Sequence, residues 1–200
     1  MKPSKAGQIS QFVQARITRL SHINNESRLA ATLAKLRRGV GKEPGSLPEL
    51  WEVTLDGMPE SLQGNDEQPS FGERAAHTAL TLFALHQQGK KEKWMSESGA
   101  TLGGAMREMI RRNSERETAI TRRFLAAVTA DSYEELVWHL RGLVQLLRAE
   151  DIKLDYPLLA KELFDFQYPI RRDRIRLQWG RQFYWQPPQE RSDNGSNDQK

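Results

Sequence analysis

Residues 71–88 read FGERAAHTALTLFALHQQ, and this stretch decides the fold. Ala75, Ala76, Ala79, Leu80, Leu82, Phe83 and Leu85 are too dense for one surface stripe, so the segment predicts a long, mostly buried helix. Gly89 ends it. A helix apolar on most sides needs other helices around it, and the flanking sequence supplies them.

Upstream, Ile9, Phe12, Val13, Ile17 and Leu20 form a 3.6-residue stripe, and Leu29, Leu33 and Leu36 form a second. Gly39 follows as the expected left-handed glycine past a helix end. Residues 41–48 read as a loop, followed by a short helix around Leu50, Trp51 and Leu55. Residues 57–70 (GMPESLQGNDEQPS) predict a mobile connection. Downstream, helices are expected over Leu102–Arg112, after Asp131-Ser132, from Asp155-Tyr156-Pro157, and over Arg172–Tyr184. Ser114-x-x-Glu117 has the form of a capping box, which would split the segment before it from the segment after it near Asn113. No β-alternation survives. The expected fold is all-α, a compact bundle of about eight helices, in one body or as two small helical lobes. The divisions are 1–56 for the N-terminal helices, 57–70 for the loop, 71–186 for the main bundle continuing the same domain, and 187–200 for a disordered tail.

With 30 basic and 26 acidic residues the net charge is only +4, so any polyanion reading must rest on clustering. The chain has no cysteine, which excludes disulfides, zinc-thiolate sites and cysteine nucleophiles and suits a reducing cytoplasm. No signal peptide and no membrane span is expected, since no apolar run approaches the ~20 residues a span needs. The expected location is cytoplasmic.

Charge clusters most between Arg107 and Arg123, where Arg107, Arg111, Arg112, Arg116, Arg122 and Arg123 occur without a lysine. Arginine carries a rigid, always-charged fork of donors suited to phosphate. On a single helical wheel Met106, Met109, Ile110, Ile120, Phe124 and Val128 converge on one side. Arg107, Arg111, Arg112, Arg122 and Arg123 spread over the opposite half, with Arg116 near its edge. A break at Asn113 would weaken this clustering. Glu108, Glu115 and Glu117 are available to pair with part of it, so charge alone leaves a polyanion surface and a decorated solvent face both open.

A second cluster, Arg37, Arg38 and Lys42 around Gly39 and Gly41, sits at a helix C-terminus, where cations also complement the helix dipole. It lacks the spacing of a Walker loop. A third comprises Arg171, Arg172, Arg174, Arg176 and Arg181. Beside it Trp179, Phe183, Tyr184 and Trp185 are candidates for base stacking, though the spacing of Trp179 and Phe183 favours the core. His77 and His86 lie about 180° apart on their helix and cannot share a metal. His139 reads as a packed core histidine. Gly99-x-x-x-Gly103-Gly104 precedes a helix and could seat a phosphate, but a loop linker is the favoured reading. No HExxH, GxSxG or paired-acid site is present, so no catalytic residue, cofactor or metal is expected.

Several ordered segments together resemble the CasB family, the small subunit of the type I-E CRISPR Cascade complex. They are LAATLAKLRRG (29–39), PELW (48–51), AAHTALTLFALHQ (75–87), RRFLAA (122–127), LRGLVQLLR (140–148), LDYP (154–157) and WGRQFY (179–184). The resemblance covers most of the chain outside 57–70 and the tail. It implies a non-catalytic helical subunit present in two copies beside the large and backbone subunits. Such a subunit holds CRISPR guide RNA, target DNA and the displaced single strand to stabilise the R-loop. The positions it points to are Arg37, Arg38, Lys42, Arg107, Arg111, Arg112, Arg122 and Arg123, and beyond them Arg116, Arg141 and Arg148. The alternative is a helical scaffold whose arginines contact protein neighbours only.

Overall fold

The computed structural model describes residues 3–65 and 67–185, so the tail at 187–200 lies outside the described residues. Within them nine α-helices form. They are α1 (Lys5–Ser21), α2 (Glu26–Arg38), α3 (Trp51–Thr54), α4 (Phe71–His86), α5 (Leu102–Arg112), α6 (Glu117–Val128), α7 (Tyr133–Ala149), α8 (Tyr156–Phe166) and α9 (Pro169–Tyr184). The one strand-like feature described is an isolated bridge between Ser96 and Leu154. The chain is all-α, as its periodicity predicts.

Local chemistry explains where the helices start. The Ser70 Oγ accepts from the Glu73 N–H at 3.0 Å while the Glu73 carboxylate accepts from the Ser70 N–H at 2.7 Å, a reciprocal cap on α4. At α2, α5, α7 and α8 the side chains of Asn25, Thr101, Ser132 and Asp155 each accept from a first-turn backbone N–H. Pro157 sits in the first turn of α8, where its missing N–H costs nothing.

Helix α4 is the hub. Every residue from Ala75 to His86 is buried, and α1, α2, α7 and α8 pack around it. Its alanines let those neighbours approach closely, while Leu80, Leu82 and Phe83 fill the space between. The α4 histidines are structural: His77 Nε2 donates to the Gly39 carbonyl at 2.9 Å, and His86 Nδ1 meets the Tyr156 hydroxyl at 2.9 Å.

Three local expectations are corrected. Gly39 is not a left-handed cap; its φ is −79°. It is small because a Cβ there would lie 2.6 Å from Leu50 Cδ1 and 2.9 Å from Thr81 Cγ2. Gly103 does not seat a phosphate, since α9 crosses α5 over it and a Cβ would meet the Phe183 N at 2.7 Å. Thr101 already accepts from the Gly104 N–H, and Asp155 from that of Gly99. His139 is only half-buried, 3.7 Å from Glu135 and edge-on to Trp138, because it faces the rim of α7. Trp179 and Phe183 are core, as their spacing suggests. In segment 57–70, Met58 and Leu62 are also buried.

Buried Glu162 accepts from Trp179 Nε1 and Gln178 Nε2, both at 2.8 Å. Burial raises its pKa from 4.5 to about 7, while burial lowers that of His86 from 6.5 to about 4. Stability from the raised carboxyl is fully present below pH 4.5 and is lost as pH rises through about 7. Stability from the depressed imidazole is present above pH 6.5 and is lost as pH falls through about 4. The two slopes therefore oppose each other between pH 4.5 and 6.5. Glu162→Gln removes only the first. Its unfolding free energy in urea, relative to wild type, should rise across pH 4.5 to 7, by at most ~1.4 kcal/mol per pH unit. A pH-independent difference would contradict this assignment.

Candidate nucleic-acid interface

The arginine segment 107–123 is not one helix. Asn113, with φ −148° and ψ 93°, ends α5 in an extended conformation. A 3-10 turn, Ser114–Arg116, leads into α6. The Ser114–Glu117 capping box does not form, because the turn intervenes and α6 starts at Glu117 without a side-chain cap. Asn113 caps instead, its Oδ1 accepting from the Glu115 N–H at 3.2 Å. The single-wheel placement of the arginines therefore does not apply.

Four of these arginines are tied to the protein itself. Arg111 grips Glu108 through two donors at 2.7 and 3.0 Å, and Arg112 Nε reaches the same carboxylate at 2.9 Å. Those hydrogen bonds hold the Glu108 carboxyl below the usual carboxylate range. Arg112 also donates to the Glu150 carbonyl at 2.7 Å, and Arg116 pairs with the Glu150 carboxylate at 2.7 Å. Arg107 pairs with Glu117 at 3.5 Å. Together these contacts staple α5, the turn and α6 to the end of α7.

The third cluster is also drawn inward, apart from exposed Arg181. Arg171 and Arg174 pair with buried Asp165 at 2.7 and 3.0 Å. Arg172 and Arg176 donate to the Asp131 and Ala130 carbonyls at 2.7 and 2.8 Å. Arg38 pairs with Glu49 at 3.0 Å.

Arg37, Lys42, Arg122, Arg123, Arg141 and Arg148 are different: among the described residues none of them enters an ion pair. Arg37 ends α2 and stands close to Arg148 on α7. Partial burial first, and then the like charge of Arg148, hold its guanidinium below the usual arginine value. Arg148 is fixed there by Gln88, whose Oε1 accepts at 2.7 Å. Lys42 and Arg141 line one groove of about 380 Å³ between the loop after α2 and α7. Arg122 lines a separate groove beside Leu125 and Tyr184.

The α2–α7 face was legible from sequence as cations, but its exposed Trp138 was not singled out. The signal was there: Trp138, Arg141 and Arg148 recur at helical spacing, outside the apolar positions of α7. No group of three or more histidine, aspartate or glutamate side chains among the described residues could hold a metal ion. No described helix is long and apolar enough to cross a membrane.

Fold and site together define an all-helical protein in which some cations staple helices together while others, on the α2–α7 face and on α6, stay outside ion pairs. The family model for the CRISPR-associated protein Cse2 matches residues 32–184, and the chain belongs to that family. The crystal structure of CasB from Thermobifida fusca is 35% identical, with a TM-score of 0.74 over 89% of this chain and 98% of that one. CasB from Thermus thermophilus shares the fold at 23% identity and a TM-score of 0.65, covering 92% of this chain and 99% of its own. A chain of a CRISPR RNA-guided surveillance complex does so at 18% identity and a TM-score of 0.62, over 88% of this chain and 95% of that one. No curated protein sequence matches.

The staples are half-exposed, so each should contribute little alone. A double-mutant cycle of Arg116→Gln and Glu150→Gln, followed by urea unfolding, should give a coupling under about 1 kcal/mol that shrinks with salt. A salt-independent coupling well above that would show a desolvated pair instead.

Proposed function

We propose that this chain is a structural subunit of a CRISPR RNA-guided surveillance complex, Cascade, and that it grips nucleic-acid backbone through its α2–α7 face. The observation that supports this most is the Arg37–Arg148 pair. Two guanidiniums on adjacent helices repel each other, neither has a carboxylate partner among the described residues, and Gln88 holds one in place. A phosphate between them relieves that repulsion and gains charge-assisted hydrogen bonds. Lys42 and Arg141 extend the surface along α7, while Arg122 and Arg123 offer cations on α6. Arg38, Arg107, Arg111, Arg112 and Arg116 contribute to the local potential, but their carboxylate partners offset most of it.

In this reading the ligands are guide RNA, target DNA and the displaced strand. R-loop formation is close to balanced, so modest sequence-independent contacts tip it. The chain holds strands and performs no bond chemistry. Its neighbours are the large and backbone subunits and a second copy of itself. Exposed Ile170 and Leu177, seven residues apart on α9, favour that face for protein contact.

Arg37→Gln/Arg148→Gln should weaken binding of single-stranded DNA equally across sequences. The double substitution should reduce the slope of log affinity against log salt by about 1.4. Unchanged affinity and slope, with circular dichroism intact, would overturn the backbone grip. Ile170→Ser/Leu177→Ser should instead lower co-purification with neighbouring subunits and leave strand binding alone. Strand binding lost in this variant and kept in the arginine variant would reverse the assignment of the two faces.

A further inference from the structure

The α7 face carries one feature that phosphate binding does not explain. Trp138, Arg141, Gln145 and Arg148 follow one another at intervals of three, four and three residues and so form one outward stripe. Trp138 is 71% exposed, although indole is among the side chains that gain most from burial. It lines the same groove as Lys42 and Arg141, with Val40, Pro44 and Val137 supplying apolar wall. The carboxylates in that groove, Glu43 and Glu134, both pair with Arg74, at 3.2 and 3.0 Å. Against these two acids Lys42, Arg74 and Arg141 leave the groove net positive, and neither Lys42 nor Arg141 is drawn into an ion pair.

An exposed aromatic ring at the mouth of an apolar-walled groove, flanked by unpaired cations, matches a nucleotide piece by piece. The ring takes the face of a base, and the cations take the phosphates on either side. On a helix rising ~1.5 Å per residue, Arg141 and Arg148 stand ~5 and ~15 Å along the axis from the indole, within reach of neighbouring nucleotides. Bases inside a duplex are already stacked on one another and cannot offer a face. An acidic peptide would satisfy the cations but would leave the indole without a ring to stack on.

We propose that Trp138 is a stacking platform for an unpaired base, so that the α2–α7 face selects single-stranded over double-stranded nucleic acid. The inference rests on the backbone-grip reading above and adds to it a residue that reads strandedness. Stacking is tolerant of sequence because every base has a π-face, so the selection is for an accessible base and not for its identity.

The test compares the full-length wild type, Trp138→Ala, Trp138→Phe and Arg37→Gln/Arg148→Gln. Each is titrated with labelled oligothymidylate, with a strand of equal length made of abasic nucleotides, and with a duplex. Trp138→Ala should weaken oligothymidylate binding roughly ten- to a hundredfold with an unchanged salt slope. Trp138→Phe should recover part of that loss. Wild type and Trp138→Ala should bind the abasic strand, and the duplex, equally. If Trp138→Ala binds oligothymidylate like wild type while the arginine variant is weakened, stacking is refuted and the backbone grip stands. If neither variant is weakened, both fall. If Trp138→Ala loses the abasic strand as strongly as the normal one, the side chain acts on local structure and the proposal fails. If it only loses co-purification with a neighbouring subunit, Trp138 belongs to a protein contact, which also overturns the proposal.

Discussion

Burial of α4 on every side is the constraint on which the rest of the molecule depends. From Ala75 to His86 the helix has no solvent-facing positions to give to charge, so the surface cations of this region stand on its own first turn and on the helices around it. It also demands small residues where neighbours cross, which is why Ala75, Ala76 and Ala79 stand where Leu or Ile would keep those neighbours apart. The same demand reaches beyond α4: Gly39, at the end of α2, is small because Leu50 and Thr81 close over it. The position of Arg37 two residues earlier is thus inherited from core packing. One end of the basic face is set by the buried length of a helix that carries none of its cations.

The helices were readable because the bundle is built from local periodicity. The prediction of Leu102–Arg112 coincides with α5, and the proline-marked start at Asp155 with the cap of α8. The angular separation of the α4 histidines was readable too, and in the fold His77 and His86 bond to different neighbours, Gly39 and Tyr156. What sequence left hidden was pairing across helices. Nothing local to Glu150 says that its carboxylate and its carbonyl serve Arg116 and Arg112, thirty-odd residues upstream. Nor does anything near Asp165 announce that Arg171 and Arg174 converge on it once the chain turns into α9. The break at Asn113 was legible in outline, yet the capping residue was misplaced by one position because a 3-10 turn cannot be read from a capping pattern.

Density of arginine along the chain is therefore a poor guide to free positive charge in the fold. Four of the six arginines in the richest segment are drawn into ion pairs with three glutamates. The proposed face is assembled from sparse cations on α2 and α7, two helices about a hundred residues apart that both pack on α4. The grip proposed above therefore rests on Arg37, Arg148 and their neighbours on α7, and not on the segment densest in arginine.

The sharing of carboxylates at the α5–α6 corner has an evolutionary consequence. Glu108 restrains two guanidiniums, and Glu150 restrains two through its carboxylate and its carbonyl. Loss of the Glu108 carboxylate alone removes the acid shared by Arg111 and Arg112 without adding a basic residue anywhere, whereas loss of the Glu150 acid frees Arg116 only, since Arg112 is held there by the backbone carbonyl. A new anion-binding surface thus lies one codon away, on a scaffold whose core need not change. Drift in acidic residues, more than gain of arginines, is the shorter path by which such a protein can remodel the track it offers to a strand.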